Sequence, residues 1–240
     1  MSAHKHGHLT MDLPGAVQKV HLHPTPRVGG IAIYVAATAA WIVLPGPSEG
    51  ALLGTVLLAG MPALLVGLLE DVTKRVSVRT RLFLTMGSGA LATVWSGYGI
   101  SRIDLPMADN LLAIWPVTVL FTAFAVGGVT NAINIIDGFH GLASGTVIIS
   151  LLALATIAFS VGDQPLALVA VIMCAAVAGF WLVNFPWGRL FLGDGGAYFS
   201  GFTLAWLSVE LMARNPRVSP WASVLLCAYP TLEVLYSVIR

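Results

Sequence analysis

Eight long apolar runs restrict this chain to very few folds. They cover Gly30–Leu44, Ala51–Leu69, Leu82–Tyr98, Leu111–Thr130, Leu142–Gly162, Leu166–Phe185, Ala197–Ala213 and Trp221–Ile239. Most approach the ~20 residues that a bilayer-spanning helix requires, the first being short. None shows an apolar stripe beside a polar face, and helices that are apolar all round belong in a core or in lipid. Only 10% of the 240 residues are charged, against about 25% in a soluble domain. Gly, Ala, Ser and Thr recur inside the runs, which suits close helix packing in lipid. The expected fold is all-α: a polytopic integral membrane helix bundle of about eight transmembrane helices, forming one domain over residues 1–240 behind a polar segment, 1–27.

Charge gives the orientation. If the runs alternate, residues 1–29 and the connections 70–81, 131–141 and 186–196 share one side. That side, with Arg240, carries nine Lys and Arg residues; the other has Arg102, Arg214 and Arg217. The positive-inside rule places the first side in the cytoplasm, and a bacterial cytoplasmic (inner) membrane with cytoplasmic site loops is the expectation. The same parity collects all six histidines with Glu70, Asp71, Asn131, Asn134, Asp137 and Asp194. Four polar clusters facing one compartment are what a site assembled from several loops requires. Cys174 and Cys227 lie inside apolar runs and read as small buried hydrophobes. The pairs His6/His8 and His21/His23 lack a nearby carboxylate or cysteine and read as solvated tail.

Each cluster has a plain and a chemical reading. In HLHPTPRVGG, two prolines stiffen the entry to the first run, Gly29 and Gly30 allow close backbone approach, and Arg27 suits a phosphate, or serves only as a topology charge. In EDVTKRVSVRTR, Glu70 and Asp71 are adjacent carboxylates followed by four cations, among them Lys74. The carboxylates suit Mg²⁺ ligation or proton transfer, while the cations suit an anionic substrate, lipid head groups or simple anchoring. In NAINIIDGFHGLASG, Asn134 and Asp137 fall on one face of a helical turn. In PWGRLFLGDGG, Asp194 sits among three glycines, where it could ligate a hard cation or merely cap a helix. No GxxxxGK[ST] sequence, Ser–His pair or Cys₂His₂ set accompanies them. Together they favour phosphoryl transfer from a nucleotide with Mg²⁺. At a membrane, that means joining a soluble activated donor to a lipid-borne acceptor.

HPTPRVGG, LLEDVTKR, NAINIIDGFHGLASG and NFPWGRLFLGDGG, in this order, resemble the polyprenyl-phosphate N-acetylhexosamine-1-phosphate transferases over residues 12–240. The opening is closer to the branch that uses UDP-GlcNAc than to the phospho-MurNAc-pentapeptide translocases. The resemblance implies a bundle of about ten helices and an enzyme that moves a sugar 1-phosphate from a UDP-N-acetylhexosamine, most naturally UDP-GlcNAc, to undecaprenyl phosphate, releasing UMP. Such a reaction would begin a lipid-linked glycan of the cell wall, lipopolysaccharide or exopolysaccharide. The implied cofactor is Mg²⁺, with Mn²⁺ as a substitute. Carried over, Asp194 becomes the main metal ligand with Asp71 beside it, and Glu70, Asp71 and Asp194 form the catalytic set. Asn134 and Asp137 become the nucleotide-side residues. Lys74, Arg27, Gly29, Gly30 and Arg189 complete the substrate-binding candidates. Membrane lipids are expected partners and nucleic acid is not; oligomeric state is left open, a homodimer included.

Three departures stand out. Glu70 replaces the family's usual Asp, moving the carboxylate by about a bond length, ~1.5 Å. The family's first helix is absent, and its later His-rich loop and last helices lie beyond Arg240. The chain is therefore expected to be a fragment of a longer member or a reduced one. Competing readings are a phospho-MurNAc-pentapeptide translocase, a transporter, whose polar groups belong in mid-span, and an inactive homologue.

Overall fold

A computed structural model describes residues 11–12, 25–43 and 46–239. Among them are ten helices: α1 Gly29–Val43, α2 Pro47–Thr73, α3 Val78–Ser96, α4 Pro106–Leu112, α5 Trp115–Ile136, α6 Leu142–Ser160, α7 Gln164–Asn184, α8 Gly193–Arg214, α9 Pro220–Leu226 and α10 Ala228–Ile239. Two-residue strands β1 (Met11–Asp12) and β2 (Thr25–Pro26) pair antiparallel before α1. The histidine pairs of the first 24 residues lie outside the described residues. Every apolar run became helix, and the all-α reading holds for a multi-pass membrane protein.

The count of about eight spans is not confirmed. Among the described residues, four helices, α2, α5, α6 and α7, are long and apolar enough to cross a bilayer, and α1 is apolar but shorter. The remaining three runs do not meet that combination of length and hydropathy, for local reasons. α3 carries Arg79 and Arg81 in its first turns. The last run is broken at Cys227 into α9 and α10. α8 carries Asp194, Glu210 and Arg214 among glycines and hydroxyls, and protein rather than lipid covers it: every residue from Gly195 to Met212 is buried.

α8 is the axis of the bundle, with α1, α2, α5 and α6 packed around it. Absent side chains allow this. A Cβ on Gly60 would meet the rings of Phe199 and Phe202, and one on Gly201 would meet the backbone of Thr130. Trp206, Tyr198, Phe199 and Phe202 fill the space gained and are fully buried. Pro62, inside α2, removes one donor from the helical ladder, and the Ala63 N–H beside it donates to Ser88 Oγ of α3 at 3.1 Å. Cys174 and Cys227 are free and buried.

Helix ends sort to two faces. The starts of α1, α3, α6 and α8 and the ends of α2, α5 and α7 meet at one end of the bundle. At the other, Arg102 of the α3–α4 connection donates to the Val218 carbonyl at 2.7 Å, and Arg214 at the end of α8 bonds Asp163 between α6 and α7 at 2.9 Å.

Candidate active site

The first end is laced together by backbone. Phe191 N–H donates to the Pro26 carbonyl, Gly29 N–H to Phe191 and Gly30 N–H to Leu192, at 3.0, 3.0 and 3.1 Å. The entry to α1 thus runs beside the entry to α8. Gly29 and Gly30 are both buried. A Cβ on Gly30 would strike the Gly196 backbone, and one on Gly67 would strike Asp194 and Gly195. The glycines that the sequence offered for phosphate approach are used here to bring α1, α2 and α8 within backbone contact.

That contact places Asp71. It sits in the last turn of α2, only 4% exposed, and its Oδ2 accepts the Gly195 N–H at 3.0 Å. α8 has no side-chain cap of its own, so a carboxylate from another helix satisfies its first turn, where the helix dipole favours negative charge. The second oxygen, Oδ1, is buried without a hydrogen bond. It faces Arg27 Nη1 at 3.7 Å and Lys74 Nζ at 3.8 Å. Lys74, the C-cap of α2, is held in the left-handed region at φ 54.

Asp194 lies in the first turn of α8, beyond the glycine turn, and its Oδ2 accepts from Arg81 Nη1 of α3 at 3.1 Å. The Arg81 guanidinium also lies near Tyr198, one turn further along α8. Asp137 is the C-cap of α5, half-buried. Burial pushes its carboxyl up to about 7; Asp194 and Asp71 add to the rise and Arg27 opposes it. Three aspartates from three helices therefore share one electrostatic neighbourhood with Arg27, Lys74 and Arg81.

Other candidates stand further out. Asn134 is on α5, one turn before Asp137, and its carbonyl accepts the Asp137 N–H. Asn131 is committed to structure: its Nδ2 donates to Thr85 Oγ1 of α3 at 2.8 Å. Both asparagines are helical, as are Glu70 and Asp71, because α5 and α2 run on past their apolar runs. Glu70 turns its Oε2 to the Val76 N–H at 2.8 Å. Arg189 lies over the Trp187 ring at 5.2 Å, and both are exposed on the α7–α8 connection. The structure does not join Arg189 to the aspartates.

Two contributors were not identified from sequence as site residues. Arg81 is one of four cations whose cluster suits an anionic substrate, lipid head groups or anchoring, and nothing in the sequence singles it out, because its partner Asp194 is 113 residues away. Asn184, buried at the end of α7, accepts the Gly141 N–H at 2.6 Å and donates to the Leu190 carbonyl at 2.7 Å. It ties the connection that follows Asp137 to the one that precedes Asp194. An amide ending a run of twenty apolar-dominated residues was the available signal. His140, which had no role in the sequence reading, stacks on Phe191 with ring centroids 5.5 Å apart.

A divalent cation suits this donor set in one way only. Among the described residues no group of three or more His, Cys, Asp or Glu stands ready to cage a metal. Mg²⁺ rarely needs such a cage: one or two carboxylates, water and substrate phosphates complete its octahedron. The buried, unbonded Asp71 Oδ1 and the first-turn Asp194 fit that partial site.

Fold and site define a class: a polytopic helical membrane protein whose acidic and basic groups converge at one end of the bundle, around the start of a buried axial helix. Comparison narrows it. The family model described as Glycosyl transferase family 4 matches residues 53–212, and the chain belongs to that family. The matched span contains every candidate above except Arg27, Gly29 and Gly30. A "Decaprenyl-phosphate N-acetylglucosaminephosphotransferase" of Mycobacterium tuberculosis (strain CDC 1551 / Oshkosh) is 30% identical over 258 residues, covering 92% of this chain and 61% of the relative. A "Probable undecaprenyl-phosphate N-acetylglucosaminyl 1-phosphate transferase" of Bacillus subtilis (strain 168) is 26% identical over 228 residues, covering 93% and 62%. A "Phospho-N-acetylmuramoyl-pentapeptide-transferase" of Moorella thermoacetica is 30% identical over 210 residues, covering 82% and 64%. The chain spans less than two thirds of the length of each of these relatives.

Proposed function

We propose that this chain carries the site of a sugar-1-phosphate transferase, moving N-acetylglucosamine 1-phosphate from UDP-GlcNAc to a polyprenyl phosphate. The convergence of Asp71, Asp137 and Asp194 with Arg27, Lys74 and Arg81 carries the reading, and the names of the relatives support it. An oxygen of the lipid phosphate attacks the sugar-side phosphorus of the UDP-sugar. The new P–O bond forms as the bond to the UMP oxygen breaks, and UMP leaves with that electron pair.

Arg27 and Lys74 flank Asp71 and supply positive charge where two anionic substrates must approach each other. Arg81 fixes Asp194 by a charge-assisted bond. Asn134 and Asp137 form the neighbouring wall, in reach of the nucleotide side. Mg²⁺ held by Asp194 and Asp71 would neutralise the diphosphate and orient it. An apolar cleft of about 600 Å³ between α5, α8, α9 and α10 offers the chain of a lipid acceptor a surface within the bundle. The excess of Lys and Arg at the site end supports a cytoplasmic site in a bacterial cytoplasmic membrane.

The test is transfer of label from UDP-GlcNAc to polyprenyl phosphate in membranes holding the chain, with equimolar UMP release that EDTA abolishes. The Moorella relative makes UDP-MurNAc-pentapeptide the second donor to assay. If neither donor yields a lipid product in the presence of Mg²⁺ or Mn²⁺, the reading is overturned for this chain.

A further inference from the structure

The two adjacent carboxylates at the end of α2 have different tasks. Asp71 faces the bundle axis and bonds the start of α8. Glu70 turns the other way along its own chain. Its backbone carbonyl accepts the Lys74 N–H at 2.9 Å, and its Oε2 accepts the Val76 N–H at 2.8 Å. Residues 74–77 are therefore pinned twice by one residue. Between the pins Lys74 holds φ 54, a conformation that L side chains other than Asn and Asp seldom adopt. Directly after them, Ser77 caps α3 by accepting the Thr80 N–H at 3.1 Å, and Arg81 reaches Asp194. The two cations that meet the site from this connection, Lys74 on Asp71 and Arg81 on Asp194, hang on either side of the Val76 pin.

We propose that Glu70 is a positioning residue, a strut that fixes the α2–α3 connection and through it Lys74 and Arg81, and that it transfers no proton in the reaction. The identity of the residue supports this. An Asp at this position would end about one bond, ~1.5 Å, short, leaving Val76 N–H about 4.3 Å away and outside hydrogen-bond range. Glutamine would keep both the reach and the acceptor oxygen and lose only the charge. A proton-transfer group fails the opposite way: Gln abolishes it, whereas Asp retains a carboxylate of similar acidity.

The inference rests on the proposed transfer reaction for its kinetic arm, but the strut has its own readout. Glu70→Gln, Glu70→Asp and Glu70→Ala are compared in the full chain by transfer kinetics and by hydrogen exchange of the segment containing Val76. Glu70→Gln is expected to keep kcat within about three-fold of wild type with an unchanged pH profile, while Ala and Asp raise KM for the donor about tenfold or more. Exchange at Val76 should stay slow in wild type and Gln and rise at least tenfold in Ala and Asp. An inactive Glu70→Gln with slow Val76 exchange makes Glu70 the proton-transfer group and overturns the proposal. Slow exchange in Glu70→Ala overturns it too, since the strut would then hold nothing. If wild type makes no lipid product, the transferase reading fails, and the exchange arm alone decides the strut.

Discussion

Asp137 and Asp163 are both aspartates at helix termini, one at each end of the bundle, and their surroundings drive them in opposite directions. Asp163 is the N-cap of α7, where its Oδ1 accepts the Leu166 N–H at 3.2 Å. Its Oδ2 accepts Arg214 Nε at 2.9 Å and Asn215 Nδ2 at 3.1 Å. Burial raises its pKa, but these donors outweigh burial and hold it below the ordinary value of 3.8. Asp137 stands at the C-terminus of α5, where the helix dipole disfavours an anion. Its carboxylate makes no hydrogen bond among the described residues, and burial with two neighbouring aspartates pushes it up to about 7. At the far end Arg102 and Arg214 hold helices together, Arg102 bonding Asp104 at 2.7 Å and two carbonyls besides, while the buried Glu210 carboxylate meets Arg214 at 3.8 Å without a hydrogen bond. At the near end Arg27 and Lys74 face Asp71 and Arg81 bonds Asp194, and Arg27 opposes the rise at Asp137 without cancelling it.

The sharpest break of this contrast is to remove one carboxylate charge from each end. Asp194→Asn is expected to lower lipid-product formation by about 10²–10³-fold, the range for losing a group that fixes charge in a phosphoryl transfer site. Asp163→Asn should leave transfer per folded molecule within about two-fold and lower thermal stability by about 2 kcal/mol, the effect of an impaired charged bond. Both are read by turnover in detergent micelles, normalised to folded protein. Equal loss of turnover in the two variants would end the division between the ends.

A subtler break moves the carboxylate without altering it. Gly67→Ala sets a methyl against the backbone of Asp194 and Gly195, which cannot yield as a side chain does, so the start of α8 must shift away from α2. Displacement on the ångström scale costs about 10²-fold in positioned chemistry, and a similar loss of turnover is expected, with overpacking of about 1–3 kcal/mol. Gly179, in α7, has open space around its Cβ position. Gly179→Ala is the control and should change stability by no more than about 1 kcal/mol, upward.

Gly67 also shows where sequence reading stopped. The helices were legible because each run is apolar all round, a pattern needing no knowledge of neighbours. Their ends were not: Glu70–Thr73 and Asn131–Ile136 are polar enough to resemble loops, yet backbone hydrogen bonds continue through them. The membership of Asp71, Asp137 and Asp194 in one site followed from span parity together with the family resemblance, and parity survives errors in helix ends. The contacts of Arg81 and Asn184 stayed hidden because their partners are remote in sequence, and the Glu70–Val76 bond because it closes a turn whose geometry no spacing rule supplies. The count of about eight spans is not confirmed at α8, since a helix enclosed by protein can be as polar as its neighbours permit, and hydropathy does not distinguish protein from lipid.

The pH dependence of stability separates Asp137 from Asp163 by sign. In metal-free protein, Asp137 holds its proton more tightly folded than unfolded, so between 3.8 and about 7 the native state binds more protons and stability falls as pH rises. Asp163 is the reverse: its contribution is present above its unfolded value of 3.8 and is lost as pH falls through its lower folded value. Thermal midpoints in EDTA should therefore fall from pH 5 to pH 8 in wild type and less so in Asp137→Asn. Acid destabilisation should be weaker in Asp163→Asn. A wild-type midpoint that instead climbs from pH 5 to pH 8 in EDTA would remove the claim that Asp137 binds its proton more tightly in the folded chain.

The smallest effect is expected at Arg189. It belongs to the near end by topology, yet its guanidinium lies over Trp187, itself 71% exposed, at 5.2 Å from the ring centroid. An exposed cation–π contact contributes about 0.5–1 kcal/mol, and a charge remote from the three aspartates adds little to their neutralisation once salt screens it. Arg189→Ala should therefore change KM for the UDP-sugar by less than about two-fold at physiological ionic strength, with kcat unaltered. A rise of tenfold or more would mean that the α7–α8 connection folds over the donor during turnover. Arg189 would then join Arg27, Lys74 and Arg81, and the positive charge of the near end would be completed only when substrate is bound.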